Sequence, residues 1–240
     1  MLLRLLCTTA LLLSLTGAHA EPVALRIYTE ELPPFNFKQP DGRLSGSSTE
    51  KVEAVLREAG LAYDIELTSW ARAFEAARTQ AACVYSTART PEREAAFDWI
   101  GPLIRSDVVM LGLADKASAA DTLEAARNAR VGGYYGSASA RFLMQRGFPV
   151  LMSTNHEVAF KNLLAGRLDY WVAMKDTGLT MVEKAGLKGK VVVRIPVNTV
   201  EMYLACNLQI DAGFRQKLHA AFRHLNANGS LRAVDRRYIN

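Results

Sequence analysis

Two stretches of this sequence collect groups suited to holding a small organic anion. The first is Ser86-Thr87-Ala88-Arg89-Thr90-Pro91-Glu92-Arg93, which follows a run of buried-strand character. Ser86 and Thr90 offer hydroxyls there. The Arg93 guanidinium offers two parallel N–H donors, and a helix start adds free amides and a favourable dipole. Arg72 and Arg89 are weaker candidates, since arginine is usually solvated. The second stretch, Tyr135-Gly136-Ser137-Ala138-Ser139, can clamp the same anion from the other side. Its glycine permits close backbone approach, and the Ser137 and Ser139 hydroxyls and the amides around Ala138 face the start of a helix. An ammonium needs a carboxylate, and Glu30, Glu31 and Asp176 fall at strand-to-helix turns. Tyr28, Phe35, Trp70, Tyr134 and Tyr135 can wall such a site by apolar contact or cation–π attraction. Plainer roles stand beside these: a Glu92–Arg93 surface turn, helix caps at Ser137, Ser139 and Asp176, and a core position for Trp70.

No signature of catalysis accompanies these groups. The sequence has no P-loop, no dinucleotide glycine fingerprint, no zinc-protease helix and no nucleophile elbow. His156, His219 and His224 are isolated along the chain and read as surface or core residues. The expectation is a binding site with no catalytic residue, no metal and no cofactor.

The elements that must position these groups alternate between strand and helix. Strands are predicted over 23–28, 63–67, 81–86, 99–115, 129–135, 149–153, 168–174, 190–195 and 201–208. Helices are predicted over 48–60, 69–78, 90–97, 121–128, 136–147, 154–167, 177–186, 211–229 and 230–239. Thr90 followed by Pro91 and Glu92 is a cap-and-first-turn pattern. Repeated βαβ units imply an α/β protein with mostly parallel sheets. The cycle restarts after a long apolar strand, so two lobes are expected, with crossovers over 103–113 and 195–205. Lobe 1 is placed at 21–106 plus 203–240, lobe 2 at 111–200, and the hinge strands near 107–110 and 201–202. Ligands of such sheets sit at strand carboxyl ends and helix N-termini.

Composition agrees with a folded chain of 240 residues, 50% apolar and 22% charged, with mean hydropathy +0.01. Residues 1–20 pair an early Arg4 with an apolar run and end in Ala18-His19-Ala20, the pattern of a secretory leader cleaved after Ala20. The mature protein is thus expected to be exported and soluble. The formal net charge of +5 is scattered, densest around Arg215 to Arg237. That cluster reads as a solvated face rather than a nucleic-acid surface. Beyond the leader, Cys83 and Cys206 stand either as a disulfide of an oxidising compartment or as two buried thiols.

From its first strand to its end the chain resembles the periplasmic solute-binding proteins of the polar amino-acid type, family 3. The likeness is carried by LRIYTEELPPFNF, STARTPEREAAFDWIGPL, VGGYYGSASARFL, LLAGRLDYWVAM and LNANGSLRAVDRRYI. It implies the type II two-lobed periplasmic binding protein fold, closing on an amino acid. It further implies that Arg93 takes the ligand carboxylate, completed by Ser137, Ala138 and Ser139. Trp70 would pack on the ligand, Ser86 would contact the ammonium, and Asp176 would share it. Ala88, where many members carry a second hydroxyl, and the long spacing from Asp169 to Asp176 depart from the family pattern. The resemblance implies capture of a small zwitterion for a membrane permease or receptor. An enzyme of the cyclohexadienyl dehydratase type on the same scaffold is the alternative, with Glu30, Glu31, Glu201 or Asp176 as its acid.

Overall fold

The structure is a computed structural model and describes residues 24–116 and 120–238. The proposed leader lies outside the described residues. The first part of the chain runs β1 (Leu25–Thr29), β2 (Phe37–Lys38), β3 (Leu44–Ser45), α1 (Ser47–Glu58), β4 (Tyr63–Leu67), α2 (Trp70–Thr79), β5 (Ala82–Ala88) and β6 (Phe97–Leu113). There follow β7 (Val131–Tyr134), α3 (Ala138–Gln145), β8 (Val150–Ser153), α4 (His156–Leu164), β9 (Tyr170–Met174), α5 (Lys175–Lys184), β10 (Val191–Asn207), α6 (Ala212–Ala227) and α7 (Ser230–Asp235).

Eight strands form one continuous sheet in the order β4-β1-β5-β10-β6-β9-β7-β8. Pairing is parallel within β4-β1-β5 and within β9-β7-β8, as the βαβ repeats require. Between these wings run β6 and β10, antiparallel to each other over almost their whole length. Near its start β6 pairs only with β10, and over Val108–Leu111 it also pairs with β9. The two expected sheets are therefore wings of a single ladder.

Strand alternation sorts the core. In β5, Cys83 and Tyr85 join one apolar cluster while Ala82 and Val84 join another. In β9, Tyr170 and Val172 face the first cluster and Trp171 and Ala173 face a third. The helices supply the other half of each cluster, with Val52, Val55 and Leu56 of α1 on one face and Trp70, Ala73 and Ala77 of α2 on the other. A period of two in the strands against about 3.6 in the helices yields helix layers on both faces.

Three sequence expectations are corrected. In place of an α-helix over 90–97 the chain makes a turn, with Arg93 N donating to the Thr90 carbonyl, and then one turn of 3-10 helix over Glu94–Ala96, with Ala96 N donating to the Arg93 carbonyl, before β6 begins at Phe97. Burying Phe97 in the sheet leaves too few residues to nucleate an α-helix. The segment 121–128 is likewise turns, with Ala126 its sole fully buried side chain and so too narrow an apolar face to hold a helix. The strands over 190–195 and 201–208 are one 17-residue strand, β10. Pro196 is tolerated inside it because β10 pairs only with β6 there, β5 joining from Met202 onward.

Cys83 and Cys206 are directly opposite across β5 and β10 and form a disulfide over a separation of 123 residues. A bridge closing so long a loop removes much freedom from the unfolded chain. Replacing both cysteines by alanine should therefore cost about 2–5 kcal/mol, measured by urea unfolding at equilibrium. An unchanged midpoint would show that the unfolded chain gains nothing from losing the bridge.

Candidate functional site

The turn after β5 and the turn after β7 meet over a small interior cavity of about 30 Å³. Arg93 lies here with only 7% of its surface exposed. Its Nη1 donates to the Ala88 carbonyl at 3.2 Å and its Nη2 to the Gly136 carbonyl at 2.8 Å. The guanidinium also lies 4.7 Å from the centre of the Phe74 ring and 5.4 Å from that of Trp70. Among the described residues no carboxylate comes within ion-pair distance of it. Burial and the nearby Arg141 charge bring its pKa down to about 10, so it remains a cation at neutral pH.

The Gly136 carbonyl accepts a second bond, from Trp70 Nε1 at 3.0 Å. One backbone oxygen on the β7 side thus ties together two side chains from the β5 side. Gly136 adopts φ +77, and a Cβ there would come within 2.9 Å of the Trp70 indole. Both the left-handed backbone and the close approach call for glycine.

Opposite the guanidinium is Glu30, 5% exposed, at the end of β1. Its Oε1 accepts from the Tyr134 hydroxyl at 3.0 Å. Burial pushes its pKa up to about 8, against the opposing pull of Tyr134 and Arg93, so it is mostly a neutral acid at pH 7. Asn36 holds the backbone under it, donating from Nδ2 to the Glu30 carbonyl at 2.6 Å. The same amide accepts from Ser86 Oγ at 2.5 Å. Ser86 has φ 58, a left-handed conformation uncommon outside glycine, at the point where β5 reaches the cavity.

Behind Tyr134 stands His156, its ring 4.5 Å from the tyrosine ring and its Nδ1 accepting from Trp171 Nε1 at 3.2 Å. That bond leaves the proton on Nε2, and burial brings the pKa down to about 4, so the imidazole is neutral. Leu32, Met174, Val200 and Met202 complete the apolar wall.

Of the residues expected from sequence, Arg93, Ser86, Trp70, Glu30, Ser137, Ala138 and Ser139 line this cavity. Ser137 also caps α3, accepting from Ala140 N at 3.3 Å. Thr90 lies outside it, on the wall of a larger adjoining cleft. Four expectations are not met by position. Tyr28 and Phe35 are packed into the apolar clusters, where alternation and loop packing turn them inward. Tyr135 is 56% exposed, because Tyr134 takes the inward position of the pair. Asp176 is the second residue of α5, away from the cavity, and accepts from Ser106 Oγ at 2.7 Å. The helix dipole expected beside Arg93 is missing, since a turn replaces that helix. His156 was passed over because a lone histidine gives no spacing signal. Met174 and Met202 carried none either, as apolar residues in apolar strands. Among the described residues no group of three His, Cys, Asp or Glu stands together to hold a metal ion.

The sequence profile of the bacterial extracellular solute-binding proteins, family 3, matches residues 25–240, and the chain belongs to that family. No curated protein matches it in sequence. Its fold is that of the periplasmic binding proteins. A histidine kinase sensor domain with similarity to periplasmic binding proteins superposes with TM-score 0.84 at 18% identity, covering 91% of this chain and 96% of that one. An ancestral arginine-binding protein bound to arginine gives 0.81 at 21%, with 90% and 98% covered. The ancestral amino acid-binding protein AncCDT-1, a precursor of cyclohexadienyl dehydratase, gives 0.77 at 20%, with 90% and 95% covered.

Glu30 and His156 impose opposite pH dependences on stability. A folded pKa raised to about 8 means that the native state holds an extra proton above the unfolded value of 4.5, and stability falls as pH rises towards 8. A histidine lowered to about 4 from 6.5 makes stability fall as pH drops through that interval. Between pH 6.5 and 8 only the Glu30 contribution is active. There the wild type should lose up to about 1.4 kcal/mol per pH unit, and Glu30→Gln should flatten the slope. Parallel slopes for the two proteins in urea titrations would place the proton elsewhere.

Proposed function

We propose that this protein captures a small zwitterionic solute, an amino acid or close relative, between two lobes that close around it. The reading is carried by one observation: a buried guanidinium with no carboxylate partner among the described residues faces a buried carboxyl group across one cavity. Arg93 matches a ligand carboxylate, and Glu30 matches an ammonium. Tyr134 holds Glu30 in place, while Trp70 and the methionines exclude water. Lobe 1 comprises 21–106 and 203–240, lobe 2 comprises 111–200, and the hinges lie near 107–110 and 201–202. Two features support that division. Among the described residues the long strands β6 and β10 carry the sheet from one wing to the other, and β10 carries register shifts at Pro196/Asn198 and Met202/Leu204. Such irregularities let a strand bend.

Family membership and the leader-like residues before Glu21 favour work in the periplasm, as a monomer that hands its solute to a permease or receptor. An ammonium arriving at Glu30 favours the ionised carboxylate, so binding near pH 7 expels a proton. A second reading rests on the same group. A carboxyl kept protonated at neutral pH is suited to general acid catalysis, which a dehydratase of cyclohexadienyl substrates would use.

The test is a thermal-shift screen of the proteinogenic amino acids and related small acids, followed by calorimetry, because a ligand of the folded state raises the melting temperature. A zwitterion should bind with release of close to one proton, seen as a dependence of the heat on buffer ionisation. Arg93→Ala should weaken it by about 2–5 kcal/mol, as for loss of one partner of a buried charge pair. Equal affinity in that variant would remove Arg93 from the site. Turnover of a cyclohexadienyl acid, abolished by Glu30→Gln, would replace capture by catalysis.

A further inference from the structure

The inner cavity does not end the site. Its lining residues Arg93, Ala138, Ser139 and Val200 also line an adjoining cleft of about 660 Å³, open to solvent. The inner space admits little more than one small group. A ligand anchored on Arg93 therefore extends into this cleft.

The cleft is strongly basic. Five arginines line it, Arg89, Arg93, Arg105, Arg141 and Arg146, against two glutamates, Glu92 and Glu201. Both acids are engaged within the protein. Glu92 accepts from Gln145 Nε2 at 3.0 Å and Glu201 from the Tyr203 hydroxyl at 2.9 Å. Arg89 is paired with Glu94, and Arg146 lies over the Phe142 ring. Arg105 and Arg141 remain. Among the described residues neither has a carboxylate within 4.0 Å, although Arg105 is opposite Glu201 in the β6–β10 ladder.

Arg141 is placed by the period of α3. Ala138, Arg141, Phe142 and Gln145 form the stripe that faces the cleft, while Ala140 and Leu143 are buried behind it. Arg141 also lies close enough to Arg93 for the two charges to repel, which contributes to the lowering of the Arg93 pKa. Glu92 lies near both guanidiniums and its charge acts on each, but Gln145 holds it and among the described residues neither arginine pairs with it within 4.0 Å. Two unpaired guanidiniums that face one continuous space are complementary to a ligand with two anionic groups.

We propose that the cleft is a second anion subsite, centred on Arg141 with Arg105 across from it, and that the ligand is a dicarboxylic amino acid. This rests on the inner site as described above and adds the substrate class. One carboxylate pairs with Arg93 and the ammonium with Glu30 where the inner cavity opens into the cleft, and the side-chain carboxylate reaches Arg141.

Calorimetry with L-aspartate, L-glutamate and L-2-aminoadipate, each set against L-asparagine or L-glutamine, tests it. At least one diacid should bind about tenfold or more tightly than the amides, a difference of about 1.4 kcal/mol. The preference should shrink as ionic strength rises. Arg141→Gln should weaken the diacid about tenfold more than the amide, which collapses the ratio. The unliganded melting temperature of the variant, whose altered side chain is exposed, checks that it folds. Equal affinities for acid and amide, or an equal loss for both in Arg141→Gln, would overturn the second subsite and leave amino-acid capture standing. No binding of any of these amino acids, or of any other in the wider screen, would overturn both.

Discussion

The site depends on a buried positive charge that has no paired counter-charge among the described residues. Moving a guanidinium out of water is costly unless its donors find acceptors and its charge finds an anion. Arg93 meets the first requirement through two backbone carbonyls, at Ala88 and Gly136, and stacks near Phe74 and Trp70. Only the second is left open. The surroundings hold the group rigid and dry, and an anion arriving there meets donors that need no rearrangement. Low local polarity strengthens such a pair relative to one in water. The same burial would make the side chain a liability in a protein with no anion to bind.

Contacts across the cavity explain how this arrangement is held. The Gly136 carbonyl accepts from both Arg93 and Trp70, Tyr134 reaches Glu30, and Gln145 reaches Glu92. All four bonds run between the β1–β5 wing and the segment from β7 to α3. They are polar, few and local, while two of the three apolar clusters draw residues from both wings. Motion between the wings would break these bonds. Behind them the neutral His156, fixed by Trp171, keeps Tyr134 aimed at Glu30 without adding a charge. An imidazolium there would disfavour Arg93 and draw Glu30 into its ionised form.

The order of helices and strands was legible because local periodicity reports burial. Strand 63–67 alternates, the helices near 48–60 and 154–167 have apolar spacing with Gly60 and Gly166 near their ends, and all of them form. The failures have separate causes. Thr90-Pro91-Glu92 has a good helix start, but Phe97 is drawn into the sheet, and a local preference of a few tenths of a kcal/mol yields to burial of an aromatic ring. The sequence divides β10 into strands 190–195 and 201–208 because it does not reveal that β10 has a single strand partner at Pro196.

By itself the sequence determined the α/β class, the doubling of the βαβ cycle and the two turns that carry Arg93 and Ser137-Ala138-Ser139. Each of these is encoded in residues adjacent along the chain. Only the tertiary structure decided that Tyr134 rather than Tyr135 faces inward, that Glu30 is buried opposite Arg93, and that Cys83 is bonded to Cys206. It likewise turned Asp176 away to Ser106 and brought His156 in. The physical reason is that charge, burial and protonation depend on what lies across a space of a few ångströms, and the partners there come from segments dozens of residues apart.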